Sequence, residues 1–292
     1  MGGTKIAGAV LGPGGETLCE LRLPTPRSDY EATIAAIAGL VAALEGQAQT
    51  SRLTIGVGIP GSISPRTGLV QNANSTWLNG RPFAADLERR LGPRVRLAND
   101  ANCFALSEAV DGAGAGKSRV LGIILGTGCG SGRIMDGPRG IAGEWGHNPL
   151  PPMPAAMERV DQPTCWCGRT GCMEAWVSGP GMAATHLQKW GEDLTPEEIV
   201  ARAPNDHRAT VTLVRHASML SRGLASLVNI LDPDVIVLGG GLSELEHLYD
   251  LVPRCMARHI FCDDASVDLR QAKWGSASGV RGAAWLWPVQ EA

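Results

Sequence analysis

The sequence predicts an α/β fold whose ligands sit at the carboxyl ends of strands. Two observations carry this expectation. Apolar runs repeatedly break into glycine-rich tips, at GIPG (58–61), GTGCGSG (126–132) and GGG (239–241). Amphipathic stretches with helical spacing alternate with those runs.

Taken in order, KIAGAVL (5–11) and TLCELRLP (17–24) read as two strands of a hairpin around GPGGE. The stretch 30–49 repeats apolar residues at helical spacing among strong helix formers. LTIGVGIPG (53–61) is a short buried strand that ends in a Gly-Pro-Gly turn. VRLANDAN (95–102) is a strand running into a polar tip, followed by a helix CFALSEAVDGA. VLGIILGTGCGSG (120–132) is an apolar strand that opens into glycines. Residues 133–195 are rich in Gly, Pro and Trp and read as irregular. A long amphipathic helix is expected at 209–232, a buried strand at DVIVLGGG (234–241) and a last helix at 278–290, ended at Pro288.

Composition narrows the function. With 292 residues the chain can build two lobes, and 44% hydrophobic against 19% charged residues fits a soluble protein with sizeable cores. A net charge of -3 with no basic stripe argues against a nucleic-acid partner. No apolar run is long enough to cross a bilayer, and no basic patch with an apolar run opens the chain. A cytoplasmic protein without a membrane partner is therefore expected.

Three glycine tips in one chain are more than turns require. GGTK (2–5) offers backbone N–H groups and a hydroxyl to a phosphate, although an ordinary turn explains it equally well. With GTGCGSG and GGG it points to a nucleotide lying across a cleft between two lobes. Neither GxxxxGK[ST] nor GxGxxG with its acidic partner is present, which disfavours a P-loop or a Rossmann site. In NDAN (99–102), Asp100 stands at a strand tip, where it either takes a proton from a hydroxyl or caps the next helix.

CWCGRTGC (165–172) holds Cys165, Cys167 and Cys172 within eight residues. A disulfide, a redox pair and a metal site compete for it. Redox chemistry wants CxxC, whereas the spacings are CxC and Cx4C, and a reducing compartment favours metal. AGEWGH (142–147) supplies Glu144, suited to sugar hydroxyls, and His147. Three cysteines and one histidine complete a closed tetrahedral zinc site.

As a set, GGTK, GIPG, NDAN, GTGCG, GEWGH, CWCGRTGCME and DVIVLGGG occur in the order seen in the ROK family of sugar kinases, nearly end to end. NANSTWLNGRPF (72–83), AGEWGHNPLP and SGVRGAAWLWP resemble its bacterial fructokinase/mannokinase branch. The resemblance implies an actin-like (ribonuclease H-like), two-lobed fold. A small N-terminal lobe would span 1–107, completed by 278–292; a larger lobe would span 108–277, with a zinc-binding insertion at 143–175.

It also implies ATP- and Mg²⁺-dependent phosphorylation of a hexose at its 6-hydroxyl, fructose first and mannose next, by a homodimer. By this resemblance Asp100 is the general base. Gly61, Asn99, Glu144, His147 and Glu174 hold the sugar together with Asp100. Gly2, Gly3, Thr4 and Lys5, with Thr127, Gly128, Gly240 and Gly241, surround ATP. His147, Cys165, Cys167 and Cys172 bind a structural zinc.

Two departures are expected to matter. The family's pattern is IGxDxGGTK, so its first strand, and an acid that helps place Mg²⁺, would be missing here. The segment GRIMDGPRGIAG (132–143) is shorter than its counterpart, at the expense of sheet pairing and a sugar-loop contact. A catalytically impaired sugar-binding remnant is therefore the alternative reading. The family's transcription repressors carry a helix-turn-helix for which there is no room before GGTK.

Overall fold

In the computed structural model, residues 1–50, 52–135, 143–152, 161–262 and 267–288 are described. In chain order the elements are strands β1 (Lys5–Leu11) and β2 (Thr17–Pro24), helix α1 (Tyr30–Gln47), and strands β3 (Ile55–Ile59), β4 (Ser62–Ile63) and β5 (Val70–Gln71). Helix α2 (Phe83–Leu91), strand β6 (Val95–Asn99), helix α3 (Asp100–Val110) and strands β7 (Arg119–Leu125) and β8 (Cys129–Met135) follow. Then come helices α4 (Met173–Val177), α5 (Gly179–Trp190), α6 (Pro196–Arg202) and α7 (His207–Leu231). Strand β9 (Val235–Gly239), helix α8 (His247–Met256), strand β10 (Leu269–Gln271) and helix α9 (Ser278–Ala284) complete the chain.

These elements form two compact units. The first comprises Met1–Gly116, Gly132–Ala142 and Ser276–Ala292; the second comprises Lys117–Ser131 and Gly143–Gly275.

In the first unit, β1 and β2 form the expected antiparallel hairpin, while β3 pairs in parallel with β6. Asp29 caps α1 by accepting from Ala32 N at 2.9 Å, and the helix buries Ile34, Ile37, Leu40 and Leu44 on one face. That face joins Ile6, Val10, Ile55, Val57, Ile59 and Phe83 in one core. Buried Glu108 ties α3 to α9, accepting from Ser278 Oγ at 2.7 Å and from Ala113 N at 2.8 Å.

Among the described residues, no strand pairing joins the two half-sheets to each other. A cavity of about 330 Å³ lies between the edges of β1 and β3, floored by Ile37, Leu40 and Leu44 of α1 and by Val280 and Ala283 of α9. Met1 and Asp100 also line it. The Met1 ammonium donates to Gly58 O at 2.5 Å, and burial pushes its pKa down. Both strand edges thus line this cavity.

In the second unit, β10, β9 and β7 run parallel, and β8, of which Cys129–Ser131 belong to this unit, is the fourth strand of their sheet, beside β7. Its core gathers Ile123, Leu125, Ile236 and Leu238 from the sheet with Trp145, Met173, Trp176, Leu220 and Leu224. Asp206 caps α7 by accepting from Arg208 N at 2.8 Å, and α6 begins with a reciprocal Thr195–Glu198 capping box. Arg119 joins β7 to the start of β9 through Asp234, at 3.0 Å.

Four sequence expectations change, the first being the last helix: α9 ends at Ala284, with Trp285 as its C-cap, rather than at Pro288. The polar tip at 95–102 is a strand end followed at once by a helix: α3 starts at Asp100, three residues earlier than expected. The tip at 126–132 reverses the chain into β8 rather than opening a helix. The stretch read as irregular contains α4 and α5. Most of the shortened segment 132–143 lies outside the described residues.

Candidate functional site

The predicted residues divide between the units. In the first, Asn99 is the N-cap of α3, accepting from Ala101 N at 2.9 Å and Asn102 N at 3.3 Å. Capping is therefore done by Asn99, and Asp100 is left at the head of the helix. The Asn99 amide donates to Gly61 O at 2.8 Å and to Asp100 Oδ1 at 3.1 Å. Gly61 has φ 70°, and a Cβ there would stand 2.3 Å from Gln71 O, so only glycine fits. Gly61, Asn99 and Asp100 thus form one hydrogen-bonded group.

Asp100 is an exposed residue whose carboxylate is nonetheless crowded by protein. That desolvation raises its pKa, against the opposing pull of the Ala101 N–H, the Met1 ammonium and the Asn99 amide. A carboxylate so placed is a more basic proton acceptor than an exposed one.

The GGTK turn is pinned beside β1: Gly2 N donates to Lys5 O at 2.9 Å, Thr25 Oγ1 to Gly2 O at 2.7 Å and Arg27 Nε to Gly3 O at 3.2 Å. Thr4 and Lys5 are exposed.

In the second unit, the glycine tips after β7 and β9 lie side by side. A Cβ on Gly126 would be 3.9 Å from Gly241 N, and one on Gly240, at φ 84°, would be 2.2 Å from Leu125 O. Gly179 N, at the start of α5, donates to Gly126 O at 2.8 Å. Thr127, Gly240 and Gly241 are exposed at the carboxyl ends of parallel strands, where backbone N–H groups can meet an anion.

His147, Cys165, Cys167 and Cys172 come together, with one ligand atom from each lying within 4.8 Å of all the others. Cys165 Sγ is 3.6 Å from His147 Nδ1, and Cys167 Sγ is 3.7 Å from Cys172 Sγ. A tetrahedral zinc with bonds of about 2.3 Å to sulfur sets its sulfurs about 3.8 Å apart, so the donor set fits. The cysteines are free thiols, which removes the disulfide reading. Burial pushes the Cys172 thiol up to about 12 and raises Cys165, whereas the Arg169 N–H lowers Cys167.

Glu174, at the start of α4, lies against this cluster. Its Oε2 accepts from Cys129 N at 2.9 Å, and its Oε1 accepts from the Trp166 indole at 2.5 Å. Trp166 also meets His147 edge-on, with ring centroids 5.1 Å apart. Sequence reasoning passed over Trp166, although a tryptophan between two metal-spaced cysteines was the available signal. Glu144 is exposed, and its carbonyl accepts from His147 N at 3.0 Å.

Comparison with known proteins places this arrangement in context. The model of the ROK family matches residues 1–290. An N-acetyl-D-glucosamine kinase of Photobacterium profundum is 38% identical, over 98% of this chain and 97% of that protein. Among solved structures, a ROK hexokinase from Thermus thermophilus superposes with a TM-score of 0.83 at 31% identity, covering 97% of this chain and 94% of that one. A ROK family glucokinase from Streptomyces griseus, in complex with glucose and AMPPNP, gives a TM-score of 0.76 at 28% identity, covering 98% and 96%.

Proposed function

Because this chain belongs to the ROK family, we propose that it transfers the γ-phosphoryl group of ATP to the 6-hydroxyl of a hexose or N-acetylhexosamine, with N-acetyl-D-glucosamine as the first candidate. The observation that carries this reading is the hydrogen-bonded Gly61–Asn99–Asp100 group in a chain 38% identical, nearly end to end, to an N-acetyl-D-glucosamine kinase. The fructokinase/mannokinase resemblance placed fructose first; that relative moves the amino sugar ahead, and fructose and mannose become comparison substrates.

In this reading Asp100 accepts the proton of the attacking hydroxyl, and its raised pKa suits it to that task. Asn99 and the Gly61 turn hold the base in place. Glu144, His147 and Glu174 take the remaining hydroxyls. Backbone N–H groups at Gly3, Thr4, Thr127 and Gly128, with the Lys5 ammonium, face the phosphates; Gly2, its N–H on Lys5 O, closes that turn beside them, and Gly240 and Gly241 lie toward the nucleoside. Phosphoryl transfer needs chiefly such alignment and charge stabilisation. Magnesium, bound with ATP, would neutralise phosphate charge. Zinc held by His147 Nδ1, Cys165, Cys167 and Cys172 would fix the loop that carries His147, leaving Nε2 for a hydroxyl. The homodimer implied by the family belongs to the same reading and is checked by light scattering.

The test is ATP- and Mg²⁺-dependent phosphorylation of N-acetylglucosamine, glucose, mannose and fructose, with Asp100→Asn alongside. Sugar-dependent ADP release that the variant lacks supports the proposal; release that survives in the variant refutes Asp100 as base. The alternative is an impaired sugar-binding protein. Sugar binding without turnover would establish it.

A further inference from the structure

We propose that Trp166 is a positioning and specificity-determining residue of the sugar site, an inference that rests on the kinase reading of Glu174. Trp166 is 68% exposed, unusual for so large an apolar ring. It is nonetheless firmly placed. The turn that carries it is closed by Cys165 N to Arg169 O at 2.8 Å and Gly168 N to Cys165 O at 2.9 Å, below the Thr164–Thr170 bridge. The metal-spaced Cys165 and Cys167 flank it directly.

The indole does two things from this position. Its N–H donates to Glu174 Oε1 at 2.5 Å while Cys129 N donates to Oε2 at 2.9 Å. Charge-assisted bonds to both oxygens fix the carboxylate plane. Oε1 also lies 3.9 Å from Cys165 Sγ, so it is Oε2 that retains a lone pair for a sugar hydroxyl. The ring itself, packed edge-on to His147, keeps a broad surface open beside that carboxylate. A carboxylate that takes hydroxyls next to an aromatic surface that takes C–H groups is chemistry suited to a pyranose, which has both. The ligand class is therefore a six-membered sugar with a hydroxyl on Glu174 Oε2 and an apolar face against the indole.

The test compares zinc-loaded wild type with Trp166→Phe, which keeps a ring but lacks the N–H, and Trp166→Ala, which lacks both. Steady-state kinetics separate the terms. The sugar KM should rise at least tenfold in W166A and about threefold or more in W166F, while kcat and the KM for ATP stay within twofold. Metal content and thermal midpoint, measured in parallel, should match wild type; should W166A lose metal, the W166F threshold decides. A sugar KM within twofold of wild type in both variants, or one that falls, overturns the proposal.

Calorimetric titration with the sugar alone separates this inference from the kinase reading. Wild type that binds sugar tenfold tighter than W166A without phosphorylating it supports Trp166 and refutes the kinase. Wild type that phosphorylates sugar with a Trp166-independent KM does the reverse. Wild type that neither binds nor phosphorylates any sugar overturns both.

Discussion

The space between the half-sheets of the first unit makes a quantitative prediction. The perturbation is an extension of about five residues fused ahead of Met1, ending in the pattern Ile-Gly-x-Asp. At roughly 3.3 Å per residue such a segment spans the five residues of β3, Ile55–Ile59, and most of β1. Paired on both sides, it makes about eight backbone hydrogen bonds, each with a net value of about 1 kcal/mol. Its apolar side chains, buried against Leu40, Leu44 and Val280, add about 5 kcal/mol. Ordering five residues costs about 9 kcal/mol in backbone and side-chain entropy. The difference is a stabilisation of about 4 kcal/mol. The Met1 ammonium, now buried on Gly58 O, becomes an uncharged amide and adds to the gain. For a protein of this size that raises the thermal midpoint by roughly 10 °C. Scanning calorimetry of the protein with and without the extension measures it, with a proline-containing extension as control. An unchanged or lowered midpoint, or an equal gain from the proline control, would refute the reading of the cavity as a strand slot.

Further outcomes follow from single side chains. Asp100→Asn should lower kcat by about 10²–10⁴-fold with little change in sugar affinity, measured by ADP release. Because burial raises the Asp100 pKa, the acid limb of the wild-type rate profile should lie above the ordinary carboxylate value of about 3.9. The sign extends to stability: a folded pKa above the unfolded one means the ionised carboxylate is disfavoured in the fold. Asp100→Asn should therefore raise the thermal midpoint at pH 7 but not at pH 3. Purified protein should hold one zinc per chain, and Cys172→Ser should lose it and weaken sugar binding, followed by metal analysis and calorimetry. Arg281, 3% exposed, bonds Asp111, Gly15 O at 2.6 Å and Thr17 Oγ1 at 3.1 Å. Arg281→Met strands those partners and should cost about 3–5 kcal/mol in denaturant unfolding, much of which Asp111→Asn added to it should recover.

The sequence by itself determined the elements whose signal is local. The hairpin of β1 and β2 appears at the limits that its alternating residues and GPGGE turn foretold. Helices α1 and α7 follow their 3.6-residue apolar spacing to within two residues at each end. The cysteine–histidine group was legible because ligand type and spacing constrain a tetrahedral ion.

What tertiary structure alone decided is non-local. Asp100 reads as a strand tip or a cap until the Asn99 side chain is seen taking the cap and turning to Gly61, 38 positions away. GTGCGSG breaks a strand in either direction, and only the neighbouring sheet made it a reversal into β8. Helices as short as Met173–Val177 are too brief to display a period; packing of Met173 and Trp176 into the core holds that one in place. The slot beside β1 and the indole on Glu174 depend on which edges and donors are left facing each other after folding. Residue spacing encodes neither: the slot is set by strands far apart in the chain, and the indole meets a carboxylate eight positions on only because the turn at 165–169 folds back toward α4.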